Sequence, residues 1–217
     1  MAIHQNPSLP NRHTGYIACS GYGKSQALKQ NPDIPKRGAR VLLWDPDEDH
    51  QATHYTHWKS YVQAVRKAMY SGYGFRLAWA GEVSQEQFEK FCQLCWVCLD
   101  GRRALFIIIE ELADVQKSAG KASNWFGQLC RKARKYYGIL HWTSQRAEEI
   151  PNTVLTQTEN FWIGYPNDTC PPSGVEKLAR LARCPNGSKD LYELDKLQYF
   201  HKSGRESRRV TLKYQKN

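Results

Sequence analysis

Residues 18–28 read "ACSGYGKSQAL", and the class of protein turns on what this stretch does. It closes a short apolar run and sets Gly21, Tyr22, Gly23, Lys24 and Ser25 before a segment that can start a helix. A phosphate-binding loop is written Gly-x4-Gly-Lys-Ser/Thr. The leading Gly is replaced here by Ala18. In such a loop successive backbone N–H groups point inward, and the helix N-terminus adds positive potential. Lys24 would reach the β- and γ-phosphates of a nucleotide, and Ser25 would place its hydroxyl on Mg²⁺. Ser20, Gly21, Tyr22, Gly23 and Gln26 complete the predicted nucleotide-binding set. The competing reading is an ordinary strand–turn–helix corner, so the loop needs support from elsewhere.

Two further stretches supply it. "ALFIIIEELADVQ" (104–116) is an apolar strand candidate ending in two acids. Beside a phosphate loop, Glu110 would support the Mg²⁺ shell and Glu111 would polarise the attacking water. The first acid is commonly Asp, and Glu is a longer reach to the same place. "GILHWTSQRAEEIP" (138–151) is a second apolar run that leads into Ser144 and Gln145. A strand lying between the loop strand and the acid strand would aim Gln145 at the γ-phosphate, where an amide can bond a phosphate oxygen or the water.

Strand candidates are 16–20, 40–45, 75–80, 104–110, 138–144 and 160–164, several of them continuous apolar runs. Such runs are expected when both faces of a strand are buried. Helical spacing recurs between them at 55–70, 84–99, 122–137 and 173–182. The alternation predicts an α/β fold, a mostly parallel sheet with helices on both faces. Residues 1–15 read as a polar arm, 16–170 as the core, and 171–217 as a basic extension of the same domain. In that extension, "CPNGSKD" (184–190) reads as a turn, and the chain end as a terminal β-hairpin or an extension.

The 217 residues carry a formal charge of +10, which favours a polyanionic partner, nucleic acid or an anionic membrane surface. From Val175 to Asn217 there are 11 Lys and Arg against 5 Asp and Glu, a net of +6. Lys117, Lys121, Lys132, Lys135, Lys202, Arg205, Arg208 and Arg209 are candidate contacts to backbone phosphates; a solvated basic face is the alternative. The longest aliphatic run is 104–109, far short of the roughly 20 residues that span a bilayer. The opening is polar and Pro-rich, unlike a signal peptide. These features point to a cytosolic protein whose seven cysteines are mostly reduced. Cys92, Cys95 and Cys98 fall along one helix face and read as core rather than metal ligands. A disulfide or metal clip between Cys170 and Cys184 is a weaker alternative.

The chain resembles the FtsK/HerA group of P-loop ATPases, which move DNA through a ring. Four stretches carry the resemblance in order: "SGYGKS" (20–25), "LLWDPD" (42–47), "IIIEELADV" (107–115) and "KARKYYGILHWTSQRAEEIP" (132–151). Within the group it looks most like the minimal genome-packaging ATPases of tailless, membrane-containing double-stranded DNA viruses of the tectivirus or corticovirus kind. The resemblance implies a RecA-like fold, ATP and Mg²⁺, a homo-oligomeric ring that is usually a hexamer, and Gln145 as sensor. It also implies double-stranded DNA and a capsid vertex or membrane proteins as partners, in host cytoplasm and virion. The filamentous-phage assembly ATPases, acting on single-stranded DNA or protein, are the rival; a nucleotide-gated DNA-binding protein with little turnover is another. Ring ATPases of this kind set an arginine against the neighbour's γ-phosphate, and by motif position Arg134 is first, Arg131 next and Arg146 third.

Overall fold

The computed structural model describes residues 2–116 and 120–215. The candidate contact Lys117 lies outside the described residues. The chain builds one sheet of nine strands. In chain order the elements are β1 (Thr14–Ile17), α1 (Lys24–Gln30), β2 (Arg40–Trp44), β3 (Thr53–Tyr55), α2 (Trp58–Ser71), β4 (Phe75–Trp79), α3 (Gln85–Val97) and β5 (Leu105–Ile109). They continue with α4 (Asn124–Lys132), β6 (Gly138–Ser144), α5 (Asn152–Gln157), β7 (Asn160–Ile163), α6 (Pro172–Ala182), α7 (Ser188–Tyr192), β8 (Gln198–Ser203) and β9 (Glu206–Thr211).

The strand order is β3-β4-β2-β5-β6-β1-β7-β8-β9. Every pairing from β3 to β7 is parallel, and the β7–β8 and β8–β9 pairings are antiparallel, so β8 alone runs against the rest. This is the RecA-like P-loop arrangement. β6 lies between β5 and β1, as the Gln145 expectation requires. Alternation along each strand divides the core in two. Leu42, Trp44, Ile107 and Ile109 face a large core built with α2 to α6, where Phe88, Phe91, Phe126, Leu129 and Leu178 are buried. Val41, Leu43, Phe106 and Ile108 face a smaller core closed by Ala27 and Leu28 of α1. Cys92 and Cys95 are fully buried in α3 and Cys98 nearly so. All seven cysteines are free thiols; Cys170 donates to Glu148 rather than pairing with Cys184.

All six strand candidates form strands, with differences at the ends. β1 runs 14–17, two residues earlier at its start than expected, because Thr14 already pairs with His141 and Asn160. β3, α5 and α7 were not expected; all three are six residues or shorter, too brief for a periodic signal. The candidate helix at 122–137 ends at Lys132 and tightens into a 3-10 turn over Ala133–Tyr136. The turn expected at 184–190 ends at Gly187, where α7 starts. The chain end forms the hairpin β8–β9.

The polar arm crosses the edge of the sheet where the parallel strands begin. Ile3 N donates to Leu99 O, and Asn6 N to Lys135 O at 2.7 Å. Arg134 donates to the carbonyls of Pro7, at 2.9 Å, and Leu9. Nearby, Arg40 holds the start of β2. Its guanidinium pairs with Asp100 through both terminal nitrogens, and it also donates to the carbonyls of Ala104 and Arg103. Burial alone would raise the Asp100 pKa, but Arg40 and two backbone N–H groups outweigh it and bring it down to about 2.

Removing Arg40 leaves two carbonyls and a carboxylate short of donors. Arg40→Ala is expected to lower stability by about 2 kcal/mol in urea unfolding. Because the folded Asp100 pKa is depressed, its contribution is present above the unfolded value near 3.8 and is lost as pH falls toward 2. The stability gap between the wild type and Asp100→Asn should therefore narrow across that window.

Candidate active site

Four loops meet at the edge where the parallel strands end. The first is the stretch after β1. Gly21 and Gly23 both adopt left-handed backbone, with φ of 76° and 93°. Gly23 also has no room for a side chain, since a Cβ there would lie 2.4 Å from Leu197 Cδ2. Glycine alone meets both demands. Ala18, the departure from the motif, is buried at the end of β1. A Cβ on Gly164 would lie 2.9 Å from the Ala18 methyl, so the glycine at 164 makes room for the alanine at 18.

The loop is braced from the C-terminal side. Cys19 N donates to Tyr165 O at 2.8 Å. The Tyr22 carbonyl accepts from Leu197 N at 3.2 Å and from Tyr199 Oη at 2.8 Å. The Tyr22 ring stacks on Tyr165, 4.9 Å between centroids and 15° between planes. Gln26 exchanges two hydrogen bonds with the backbone of Gln215, at 2.9 Å each. Tyr22 and Gln26 thus face other parts of their own chain, and the described contacts of both are structural. Ser20 and Gly21 form the exposed turn of the loop.

The second and third groups lie at the ends of β5 and β6. Glu110 is buried, and both its oxygens are engaged: Oε1 lies 2.5 Å from His50 Nε2, and Oε2 accepts from Thr143 Oγ1 at 2.6 Å. Burial works to raise its pKa, but the His50 and Thr143 bonds and the nearby Lys24 hold it below the ordinary value. Glu111 has left-handed backbone, φ 43°, an uncommon conformation for a residue with a side chain. Its N–H donates to Thr143 Oγ1 at 2.9 Å, and its Oε1 accepts from Gln145 N at 3.1 Å. Burial raises the Glu111 pKa despite Gln145 and Lys24. Burial likewise lowers that of Lys24, against the pull of Glu111 and Glu110. Lys24, Glu110, Glu111 and Gln145 are therefore gathered in one place.

The fourth group is the loop after β2, "DPDEDH" (45–50). Asp45 is fully buried and accepts from Asp49 N, His50 N and His54 Nε2, at 3.0, 3.1 and 2.9 Å. Asp49 Oδ2 accepts from Ser25 Oγ at 3.2 Å. Sequence reasoning gave no role to Asp45, Asp49, His50, His54 or Thr143. The density of Asp and His just after an apolar strand was the available signal. Among the described residues no group of three or more His, Cys, Asp or Glu side chains could hold a metal ion. The Ser25 hydroxyl and the Glu110 carboxylate do suit a hard cation that takes most of its oxygens from phosphate and water.

The arginines are not drawn into this site. Arg134 is occupied by the arm, and Arg131 is exposed beside it, both at the opposite edge of the sheet. Arg146, next to Gln145, pairs with Glu149 at 2.7 Å. Of the basic candidates, Lys121, Lys132, Arg205, Arg208 and Arg209 are exposed. Lys202 is drawn back onto Glu159, and Arg209 bonds Glu193 O and Gln198. No helix among the described residues is long and apolar enough to cross a membrane.

No family model matches the chain. Protein P9 of Pseudoalteromonas phage PM2 is 39% identical over 163 residues, spanning 75% of this chain and 72% of P9. Among solved structures, the genome packaging NTPase B204 of Sulfolobus turreted icosahedral virus 2, in complex with AMPPCP, superposes with a TM-score of 0.74. The match covers 95% of this chain and all of B204 at 13% identity. VirB4 of Thermoanaerobacter pseudethanolicus matches with a TM-score of 0.65 over 94% of this chain and 90% of its own, at 10% identity.

The glycine geometry has a measurable consequence. Gly38 shares the left-handed backbone, φ 72°, but has open space where a Cβ would stand. Gly38→Ala should cost about 1 kcal/mol from backbone strain alone. Gly23→Ala adds the Leu197 collision and should cost clearly more; equal losses in chemical unfolding would contradict that contact.

Proposed function

The chain belongs to the family of P-loop packaging ATPases that includes phage protein P9, and from that premise we propose that it is an ATP-driven translocase of double-stranded DNA, loading a viral genome into a preformed capsid. One observation carries the catalytic part. Lys24, Glu110, Glu111 and Gln145 stand together at the ends of β1, β5 and β6. Lys24 binds the β- and γ-phosphates, with the backbone of Ser20 to Gly23 wrapped around them. Ser25 and Glu110 hold Mg²⁺, which when bound neutralises phosphate charge.

Glu111 is the base or water-polarising group. Its burial and raised pKa make it a better proton acceptor than an exposed carboxylate. Gln145, whose backbone N–H bonds Glu111, reports the γ-phosphate to that acid. Catalysis of this kind is positioning plus electrostatics, so small shifts in these groups matter. Arg131 or Arg134 of a neighbouring subunit completes the site from the far edge of its own sheet, in a ring of about six copies by the family pattern. Arg134 must release the carbonyls of Pro7 and Leu9 to do so, which favours Arg131 as the free group.

DNA contact falls to the exposed cations, chiefly Arg205 at the turn of the β8–β9 hairpin and Arg208 on β9, with Lys121 and Lys132. Such contacts bind phosphates without reading bases. The partners on the virion side are vertex or membrane proteins, and the protein works in host cytoplasm and virion.

Two measurements test the reading. Glu111→Gln should bind ATP normally and hydrolyse it roughly 100-fold more slowly, in a phosphate-release assay. Normal turnover would overturn the assignment of the two acids. Wild-type hydrolysis should rise with duplex DNA, and the stimulation should fall steeply with salt. Stimulation by single strands alone would favour an assembly motor of the filamentous-phage kind.

A further inference from the structure

Glu110 stands where an aspartate is the common choice, and its additional methylene gives the carboxylate a longer, looser reach. The structure removes that looseness. Oε2 accepts from Thr143 Oγ1 at 2.6 Å, on the neighbouring strand β6. Oε1 meets His50 Nε2 at 2.5 Å, from the loop after the strand on the other side, β2. The imidazole is almost fully buried, with 5% of its side chain exposed. It is not a casual surface pair, and nothing in the motif that marks this family calls for it.

His50 is itself fixed. Its N–H bonds Asp45 Oδ2 at 3.1 Å, and Asp45 is a buried residue immediately after β2. The same Asp45 carboxylate receives Asp49 N and His54 Nε2. Asp49 in turn receives the Ser25 hydroxyl at 3.2 Å. One buried aspartate thus organises a loop that touches both groups assigned to the cation: Glu110 through His50 and Ser25 through Asp49. Loss of a partner that orients a metal-supporting side chain typically costs about 10–100-fold in metal affinity.

We propose that His50 is a positioning residue for the cation site, clamping Glu110 against Thr143 so that a glutamate does the work of the shorter acid. The inference rests on the assignment of Glu110 and Ser25 to Mg²⁺ made above. His50 touches neither nucleotide nor metal; it acts through the Glu110 carboxylate.

The test is a titration of Mn²⁺ into the full chain bound to a non-hydrolysable ATP analogue, read by electron paramagnetic resonance. Metal-free nucleotide affinity and thermal unfolding are measured alongside. His50→Ala and His50→Asn, whose amide is too short to reach Glu110, should weaken Mn²⁺ binding about tenfold. Metal-free nucleotide affinity should not change. His50→Gln, whose amide nitrogen reaches as far as Nε2, should recover most of the loss. Unchanged Mn²⁺ affinity in the Asn variant, or a Gln variant as weak as the Asn variant, overturns the proposal. If the Ala variant does not fold, the Asn and Gln pair decides alone. Glu110→Gln separates the two levels. If it leaves Mn²⁺ affinity intact, the cation assignment itself is wrong; if it weakens binding and His50→Asn does not, only the role of His50 fails.

Discussion

The position of β6 between β5 and β1 is the constraint on which the site depends. Parallel pairing on both sides brings three strand ends to one edge of the sheet and gives their loops a shared direction. Thr143, the penultimate residue of β6, then ties the arrangement together with a single hydroxyl. It donates to Glu110 and accepts from the N–H of Glu111. The acid pair is held from the middle strand, and Gln145 follows two residues later on the same strand end. With another strand in that place, the loop lysine and the two acids would keep their spacing but lose the Thr143 and Gln145 groups that lie between them.

The C-terminal elements add a second kind of control. β8 and β9 extend the sheet beyond β7, and their base grips the phosphate loop. Leu197 and Tyr199 bond the Tyr22 carbonyl, Leu197 fills the space over Gly23, and the tail at Gln215 bonds Gln26 at the start of α1. The shape of the loop is thus set by residues distant in sequence. The same hairpin carries Arg205 at its turn and Arg208 on β9, so groups assigned to DNA and groups that shape the loop share one element.

Much of this was legible from residues alone. Continuous apolar runs marked the six main strands because burial on both faces leaves no polar alternation. Glu110, Glu111 and Gln145 were singled out because they follow the ends of such runs, and the fold brings them together. The contacts that brace Tyr22 come from Tyr165, Leu197 and Tyr199, all more than 140 positions away. No local pattern reports that. His50 and Asp49 were missed for the same reason, since their partners Glu110 and Ser25 are distant in sequence, whereas the side-chain partners of Asp45 all lie within nine residues of it. Short β3, α5 and α7 carried too few residues for periodicity. Ala18 was seen as a departure, but the compensating Gly164 becomes visible only when β1 and β7 lie side by side.

The central claim is that one nucleotide site is assembled from the ends of β1, β5 and β6. The most direct test is a crystal structure of the full chain with Mg²⁺ and a non-hydrolysable ATP analogue. The account predicts the γ-phosphate within hydrogen-bond distance of both Lys24 Nζ and the Gln145 amide, with Glu111 facing the side from which water attacks. A nucleotide bound away from the 20–25 loop, or a γ-phosphate that touches neither Lys24 nor Gln145, would contradict it.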